Sequence, residues 1–292
     1  MGSAMHTRRI DCSGVSIAVS VSGAGAPVLL LHGYPQTKAM WERVAAALAG
    51  RYTVVSADLR GYGESDRPAG DVYSKREMAT DQVAVMRELG YDRFFVAGHD
   101  RGGRVAHRMA VDHPDAVAGI AVLDIVPTLH MFENVDRTMA TSYFHWFFLS
   151  RPGGLPEDLI TAAPRAWLES RFAGRNPGTD GFVPDAFAEY LRCFDDECIR
   201  ASCADYRAAA TVDLEHDRED QECGRVISAP LLALWGQHSY VGRNFDVTDI
   251  WRSYATTVSG RHVDAEHYLA EEAPEATAAA LAEFLTREDV VW

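Results

Sequence analysis

The 292-residue chain has no apolar run near the ~20 residues needed to span a bilayer and no charged-then-apolar leader. A cytoplasmic protein without a membrane partner is expected. Positive charge is scarce, with 28 Lys and Arg against 42 Asp and Glu and a formal net charge of −14. That balance argues against nucleic acid or an anionic membrane surface as the main partner, so any small anion must be captured by a local group of cations. The cysteines, Cys12, Cys193, Cys198, Cys203 and Cys223, are odd in number and lack Cys-x-x-Cys spacing, which indicates neither a disulfide framework nor a zinc site. They read as small buried hydrophobes. Internal repeats and low-complexity segments are absent, and Met1-Gly2-Ser3-Ala4 resembles a cloning scar ahead of Met5.

With 47% hydrophobic and 24% charged residues, the chain fits one globular unit with a sizeable core, elaborated by an insertion. Alternating runs around Asp11-Cys12-Ser13-Gly14 predict an antiparallel hairpin between Thr7 and Val21. Apolar strands are expected at Val28–Leu31, Tyr52–Ala57, Phe94–Ala97, Val117–Ile125 and Pro230–Gly236, with a short one around Val263. Helical spacing covers Trp41–Leu48, Lys75–Leu89, Gly103–Val111, Asp246–Ala255 and Pro274–Leu285. The alternation of strand and helix predicts a doubly wound, mostly parallel sheet, whose site lies beyond the carboxyl ends of its strands, where Tyr34, Asp100 and Asp124 fall. From Val126 to about Ile227 the pattern turns aromatic and helical, broken at Arg151-Pro152-Gly153-Gly154 and Asn176-Pro177-Gly178. Residues 1–125 and 228–292 therefore read as a core and 126–227 as an inserted helical cap.

Within Gly98-His99-Asp100-Arg101-Gly102-Gly103-Arg104 the two glycines flank Asp100 at the spacing of a nucleophile elbow, with aspartate where serine usually stands. A carboxylate there attacks carbon and leaves an ester on itself, so the chemistry begins with an alkyl group. The rival reading is an aspartate that merely caps the following helix. Arg101 and Arg104 share a face at the helix start and point to an anionic substrate, with salt bridging as the alternative. An ester on Asp100 needs a general base for its hydrolysis. His267, in a loop between the last strand and the final helix, is the choice over His32 and His99, whose glycine neighbours suit loop positioning, and over His6, His113 and His262, which read as surface residues. Asp124, after Ala121-Val122-Leu123, is the carboxylate expected to orient that histidine, with Glu266 as a weaker rival because adjacent side chains diverge.

His32-Gly33-Tyr34-Pro35-Gln36, the elbow heptad, Leu123-Asp124-Ile125, Tyr143-Phe144-His145-Trp146, Asp205-Tyr206-Arg207 and Glu266-His267-Tyr268 together resemble the fluoroacetate or haloacetate dehalogenases of the α/β-hydrolase fold, over essentially the whole chain. The resemblance implies an α/β-hydrolase core with a helical cap and Asp100 as nucleophile, His267 as base and Asp124 as its partner. It implies Arg101 and Arg104 on the substrate carboxylate, and His145, Trp146 and Tyr206 on the halide. Backbone N–H groups of Tyr34 and Arg101 would form the oxyanion hole, no metal or organic cofactor would be needed, and a homodimer is possible. Tyr34 stands where the family commonly has phenylalanine, which should matter little if its backbone N–H is what counts. Lys38 replaces a frequent histidine and bears on the shape of the loop, and the stretch from Trp167 to Val183 diverges. The expected activity is hydrolysis of haloacetate to glycolate and halide. An epoxide hydrolase would share the aspartate elbow but would leave two arginines unexplained, and a non-catalytic ligand receptor would need no nucleophile, base and acid.

Overall fold

A computed structural model describes residues 6–70, 72–172 and 184–290. Met1-Gly2-Ser3-Ala4, the Asn176-Pro177-Gly178 break and residues 173–183 of the divergent stretch from Trp167 to Val183 lie outside the described residues, as does the side chain of His6. Chain order begins with β1 (His6–Asp11), β2 (Ser16–Gly23) and β3 (Ala26–Leu31), then a 3-10 turn (Lys38–Trp41), α1 (Glu42–Leu48) and β4 (Tyr52–Ala57). It continues through α2 (Lys75–Glu88), β5 (Phe94–His99), α3 (Arg101–Asp112) and β6 (Val117–Leu123). Eight strands form one sheet in the order β1-β2-β4-β3-β5-β6-β7-β8, with β7 at Leu231–Gly236 and β8 at Val258–Val263. Among the described residues only the β1–β2 and β2–β4 pairings are antiparallel.

The central strands are apolar throughout because each face has its own core. Along β3, Val28 and Leu30 pack into one cluster and Leu29 and Leu31 into the other; along β5, Phe95 and Ala97 face one way and Phe94 and Val96 the other. A period of two thus buries every residue of a continuous apolar run. Helix α2 starts at a capping box in which Ser74 and Glu77 satisfy each other's backbone N–H.

Between β6 and β7 the described elements are helices: α4 (Thr128–Glu133), α5 (Arg137–Ser142), α6 (Phe144–Leu149), α7 (Leu155–Thr161), α8 (Pro164–Phe172), α9 (Pro184–Cys193), α10 (Asp196–Ala209) and α11 (Val212–Glu222), with an isolated bridge from Ile227 to Ala255. After β7 come α12 (Tyr240–Asn244) and α13 (Val247–Arg252), and after β8 come α14 (Leu269–Glu272) and α15 (Pro274–Leu285). The expected helix over Asp246–Ala255 is shorter than its apolar spacing suggested, and α12 precedes it, because Ser239 and Asp246 each cap a separate start. Four cysteines are buried as expected, but Cys223 is exposed at the end of α11. Among the described residues no helix is long and apolar enough to cross a membrane, and no group of three or more His, Cys, Asp or Glu could hold a metal.

Candidate active site

Strand β5 delivers Asp100 directly into α3, and the junction is sharp. Asp100 has φ 46° and ψ −112°, a conformation that costs a non-glycine residue ~1–3 kcal/mol and persists only where its surroundings enforce it. Here the helix start presses onto the strand ends. A Cβ on Gly98 would lie 2.2 Å from the Gly102 carbonyl oxygen, and one on Gly102 would lie 2.4 Å from that of Leu31. Asp100 makes no side-chain cap bond to α3, which removes the capping alternative. Its Oδ2 instead accepts the Tyr34 backbone N–H at 3.1 Å. Burial works to raise its pKa, but the imidazoles of His267 and His99 and the guanidinium groups of Arg101 and Arg104 outweigh it and hold the carboxyl at about 2.

His267 meets Asp124 across the strand ends, Nδ1 to Oδ2 at 2.6 Å. A carboxylate can only accept there, so Nδ1 carries the proton and Nε2 is left with a lone pair for base chemistry. The other oxygen of Asp124 accepts from Ser239 Oγ at 2.6 Å and from the Gly236 N–H at 3.0 Å, so the loop after β7 supplies donors for a carboxylate that sits after β6. Glu266, the rival partner, pairs outward with Arg243 at 3.3 Å. The backbone N–H groups on either side of His267, those of Glu266 and Tyr268, both donate to Glu272, at 2.5 and 2.9 Å. His99 Nε2 bonds the His267 carbonyl at 2.8 Å, and His32 Nε2 accepts from the Leu59 N–H at 3.1 Å, so both do position loops. His113 is half-buried and His262 exposed. A cavity of about 400 Å³, bordered by Tyr143, Ser239, Tyr240, Arg243 and Glu266, reaches His267.

The two arginines are both buried but differently satisfied. Arg101 is salt-bridged, its Nε and Nη2 gripping Asp205 of α10 at 2.9 and 2.5 Å, which raises its pKa against the opposing effect of burial. Asp205 also accepts from Lys75 and from the Tyr62 hydroxyl. The salt-bridge alternative is thus correct for two of the three guanidinium nitrogens, and Nη1 has no partner among the described residues. Among the described residues no carboxylate binds Arg104; Nη1 donates to the Val126 carbonyl and Thr128 Oγ1 at 3.1 and 2.9 Å, and Nε has no acceptor there. Burial without a paired anion pushes its pKa down to about 10, so it stays cationic at neutral pH.

The helices between β6 and β7 close over these groups. Arg101 lies over the Tyr206 ring at 4.2 Å and Arg104 over the Trp146 ring at 4.6 Å. His145 and Trp146 of α6 sit 5.9 and 6.4 Å from the Tyr206 ring. Trp146 Nε1 and the Tyr206 hydroxyl are buried without an acceptor, and burial keeps that hydroxyl protonated by raising its pKa well above the usual value. Four buried donors, Arg101 Nη1, Arg104 Nε, Trp146 Nε1 and Tyr206 Oη, thus have no partner among the described residues and lie in one aromatic cluster. Buried polar groups in proteins are nearly always paired, so such a concentration marks a site for an acceptor-rich ligand.

Two departures from the family pattern acquire structural roles. Lys38 donates its backbone N–H and Nζ to the buried Asp58, at 2.7 and 2.8 Å, and its Nζ also reaches Glu64 at 3.2 Å, so it pins the loop instead of loosening it. The Tyr34 hydroxyl accepts from Trp167 Nε1 at 2.5 Å, a tie to α8 that phenylalanine could not make. Sequence reasoning assigned no role to Asp205, Ser239, Lys75 or Glu272. Asp205 lies directly before Tyr206 in Asp205-Tyr206-Arg207, but nothing in that tripeptide shows that its carboxylate is buried.

A model of the α/β hydrolase fold matches residues 26–274. A fluoroacetate dehalogenase from Burkholderia sp is 44% identical over 96% of this chain and 93% of its own. A soluble epoxide hydrolase from Corynebacterium sp. (strain C12) is 34% identical over 87% of this chain and 88% of its own. A solved structure from Nostoc sp PCC 7120, described as an alpha/beta hydrolase, superposes with a TM-score of 0.94 at 49% identity, covering 97% of this chain and 98% of that one. The chain belongs to the α/β hydrolases and, within them, to the haloacetate dehalogenase family.

Proposed function

We propose that the protein hydrolyses haloacetates, fluoroacetate among them, to glycolate and halide through a covalent ester on Asp100. The four unpaired buried donors carry this reading, because a haloacetate brings a carboxylate at one end and a departing halide at the other. Arg101 Nη1 and Arg104 Nε hold the carboxylate, while Trp146 Nε1, Tyr206 Oη and His145 take up the halide. Residues 126–227 act as a cap over the core formed by 1–125 and 228–292, contributing Asp205, Tyr206, His145 and Trp146.

With Oδ2 of Asp100 held by the Tyr34 N–H, Oδ1 attacks the carbon bearing the halogen, and the halide leaves with the bonding pair. A fluoride ion is small and concentrates its charge, so donors already in place at the leaving position lower this barrier most. The ester carbonyl oxygen then lies on the N–H groups of Tyr34 and Arg101, the latter free as the first residue of α3. His267 Nε2 takes a proton from water as the oxygen attacks the ester carbonyl carbon, and Asp124 stabilises the resulting imidazolium. Collapse releases glycolate, restores the Asp100 carboxylate and leaves one proton to pass to solvent.

An epoxide hydrolase is the competing reading, supported by the Corynebacterium relative and by Tyr206 as an acid. A neutral epoxide has a single oxygen, which Tyr206 as acid would take, and no carboxylate for the buried Arg104, which favours the haloacetate. Fluoride and glycolate release from fluoroacetate, beside diol formation from simple epoxides, tests the choice. Diol formation with no halide release from any haloacetate would overturn it.

A further inference from the structure

Glu271 is 3% exposed, on α14, four residues after the proposed base. Its Oε1 accepts from the Tyr190 hydroxyl of α9 at 2.8 Å, and its Oε2 accepts from Gln36 Nε2. Gln36 lies two residues after Tyr34, whose N–H holds Asp100, and its own N–H bonds the Gly33 carbonyl at 3.0 Å. One carboxyl therefore joins the loop that carries the oxyanion donor, the helix that follows the base and a helix from the insertion. Its neighbour Glu272 holds the N–H groups on both sides of His267. Resting on the proposed reaction, we infer that Glu271 is a positioning residue that keeps the Tyr34 N–H and the His267 ring in register across the ester on Asp100.

The surroundings explain why this position carries a carboxyl and no cation. Nearby charges are committed elsewhere: Lys38 to Asp58 and Glu64, Arg43 of α1 to Glu275 of α15, Glu283 of α15 to Arg261, and Glu189 of α9 to Arg192. Glu42 is exposed, and Glu272 adds like charge. Burial above all raises the Glu271 pKa to about 7, against the hydrogen bonds from Tyr190 and Gln36. Gln36 Oε1 is buried without a donor, and an amide at position 271, like a protonated carboxyl, can supply one once the Gln36 amide turns over.

Glu271→Gln should therefore keep the junction and Glu271→Leu should break it. In single turnovers with fluoroacetate followed by intact mass, Glu271→Leu should slow hydrolysis of the ester about tenfold or more and alkylation of Asp100 less, because alkylation uses the Tyr34 N–H alone and hydrolysis uses both that N–H and His267, and misplacement of an ångström costs that much or more. Glu271→Gln should hydrolyse it within a few-fold of the unmodified protein. Without substrate, the downfield Nδ1–H proton resonance of His267 should shift or broaden in the Leu variant and hold its position in the Gln variant. A Leu variant that loses thermal stability but keeps both the ester hydrolysis rate and the His267 signal would overturn the inference, as would a Gln variant as impaired as Leu. If the unmodified protein releases no halide from any haloacetate, the proposed function fails, and the substrate-free resonance still decides whether Glu271 positions His267.

Discussion

Asp205 holds Arg101 through two nitrogens, Nε at 2.9 Å and Nη2 at 2.5 Å, so that only Nη1 remains for a ligand. An arginine paired in this way is aimed as well as neutralised, and the residue that aims it comes from α10, between β6 and β7. Asp205 also neutralises the buried Lys75. Breaking a buried ion pair from one side typically costs about 3–5 kcal/mol. Asp205→Asn should accordingly lower the melting temperature by several degrees and reduce kcat/KM for haloacetate by at least tenfold. Wild-type kcat/KM in a folded Asp205→Asn protein would mean that the pair does not orient Arg101.

Arg104 has no carboxylate partner of its own, and it is the cation whose loss the substrate should feel most directly. Charge-assisted hydrogen bonds contribute roughly 1.5–3 kcal/mol, so Arg104→Met should reduce kcat/KM by an order of magnitude or more. Lysine should restore it only in part, lacking the planar fork. Haloacetamide, neutral where haloacetate is charged, should be a poor substrate for the unmodified protein. Equal processing of the two by steady-state assay would contradict the assignment.

Trp146→Phe and Tyr206→Phe each remove one buried donor while keeping most of the apolar bulk. Both should slow fluoroacetate turnover more than chloroacetate turnover, by an additional factor corresponding to roughly 1–3 kcal/mol, because fluoride is the poorer leaving group and depends most on donors aimed at it. The measurement is kcat/KM for both substrates, with rapid quench to show that alkylation limits. Equal losses would reduce both residues to packing.

Glu271 makes a prediction about stability and pH. Its carboxyl ionises near 4.5 in an unfolded chain and at about 7 in the folded protein, so between those values the folded state holds the extra proton. Stability must then fall as pH rises through that window and level off above it, by a total on the order of 3 kcal/mol. Glu271→Gln, which cannot ionise, should gain in melting temperature relative to the unmodified protein as pH rises from 5 to 8. A difference independent of pH would show that the carboxyl is not buried in its neutral form.

Much of this molecule was legible in the sequence because local pattern and tertiary demand agree. The apolar runs of β3 and β5 announce strands buried on both faces, and Gly98 and Gly102 announce a turn too tight for side chains. Asp100, His267 and Asp124 could be chosen by type and by position at strand ends, and the structure brings His267 and Asp124 into direct contact. Asp205 and Glu271 were not legible. Each acts on a partner more than 100 residues away, and an isolated acidic residue in an acidic helix has no local pattern that separates burial from exposure. The same holds for Ser239, which reads as a helix cap and also orients Asp124.

An ester on Asp100 fixes where each oxygen atom goes, so a labelled oxygen separates it from direct attack by water. In a single turnover of fluoroacetate in ¹⁸O-water, with enzyme in excess, the oxygen transferred to carbon comes from Asp100 and the water oxygen replaces it in the carboxylate. Mass spectrometry of the peptide containing Asp100 should then show one ¹⁸O, and the glycolate formed should carry none in its hydroxyl. Label found wholly in the glycolate hydroxyl, with an unlabelled Asp100, would show that water attacks the substrate directly and would contradict the account.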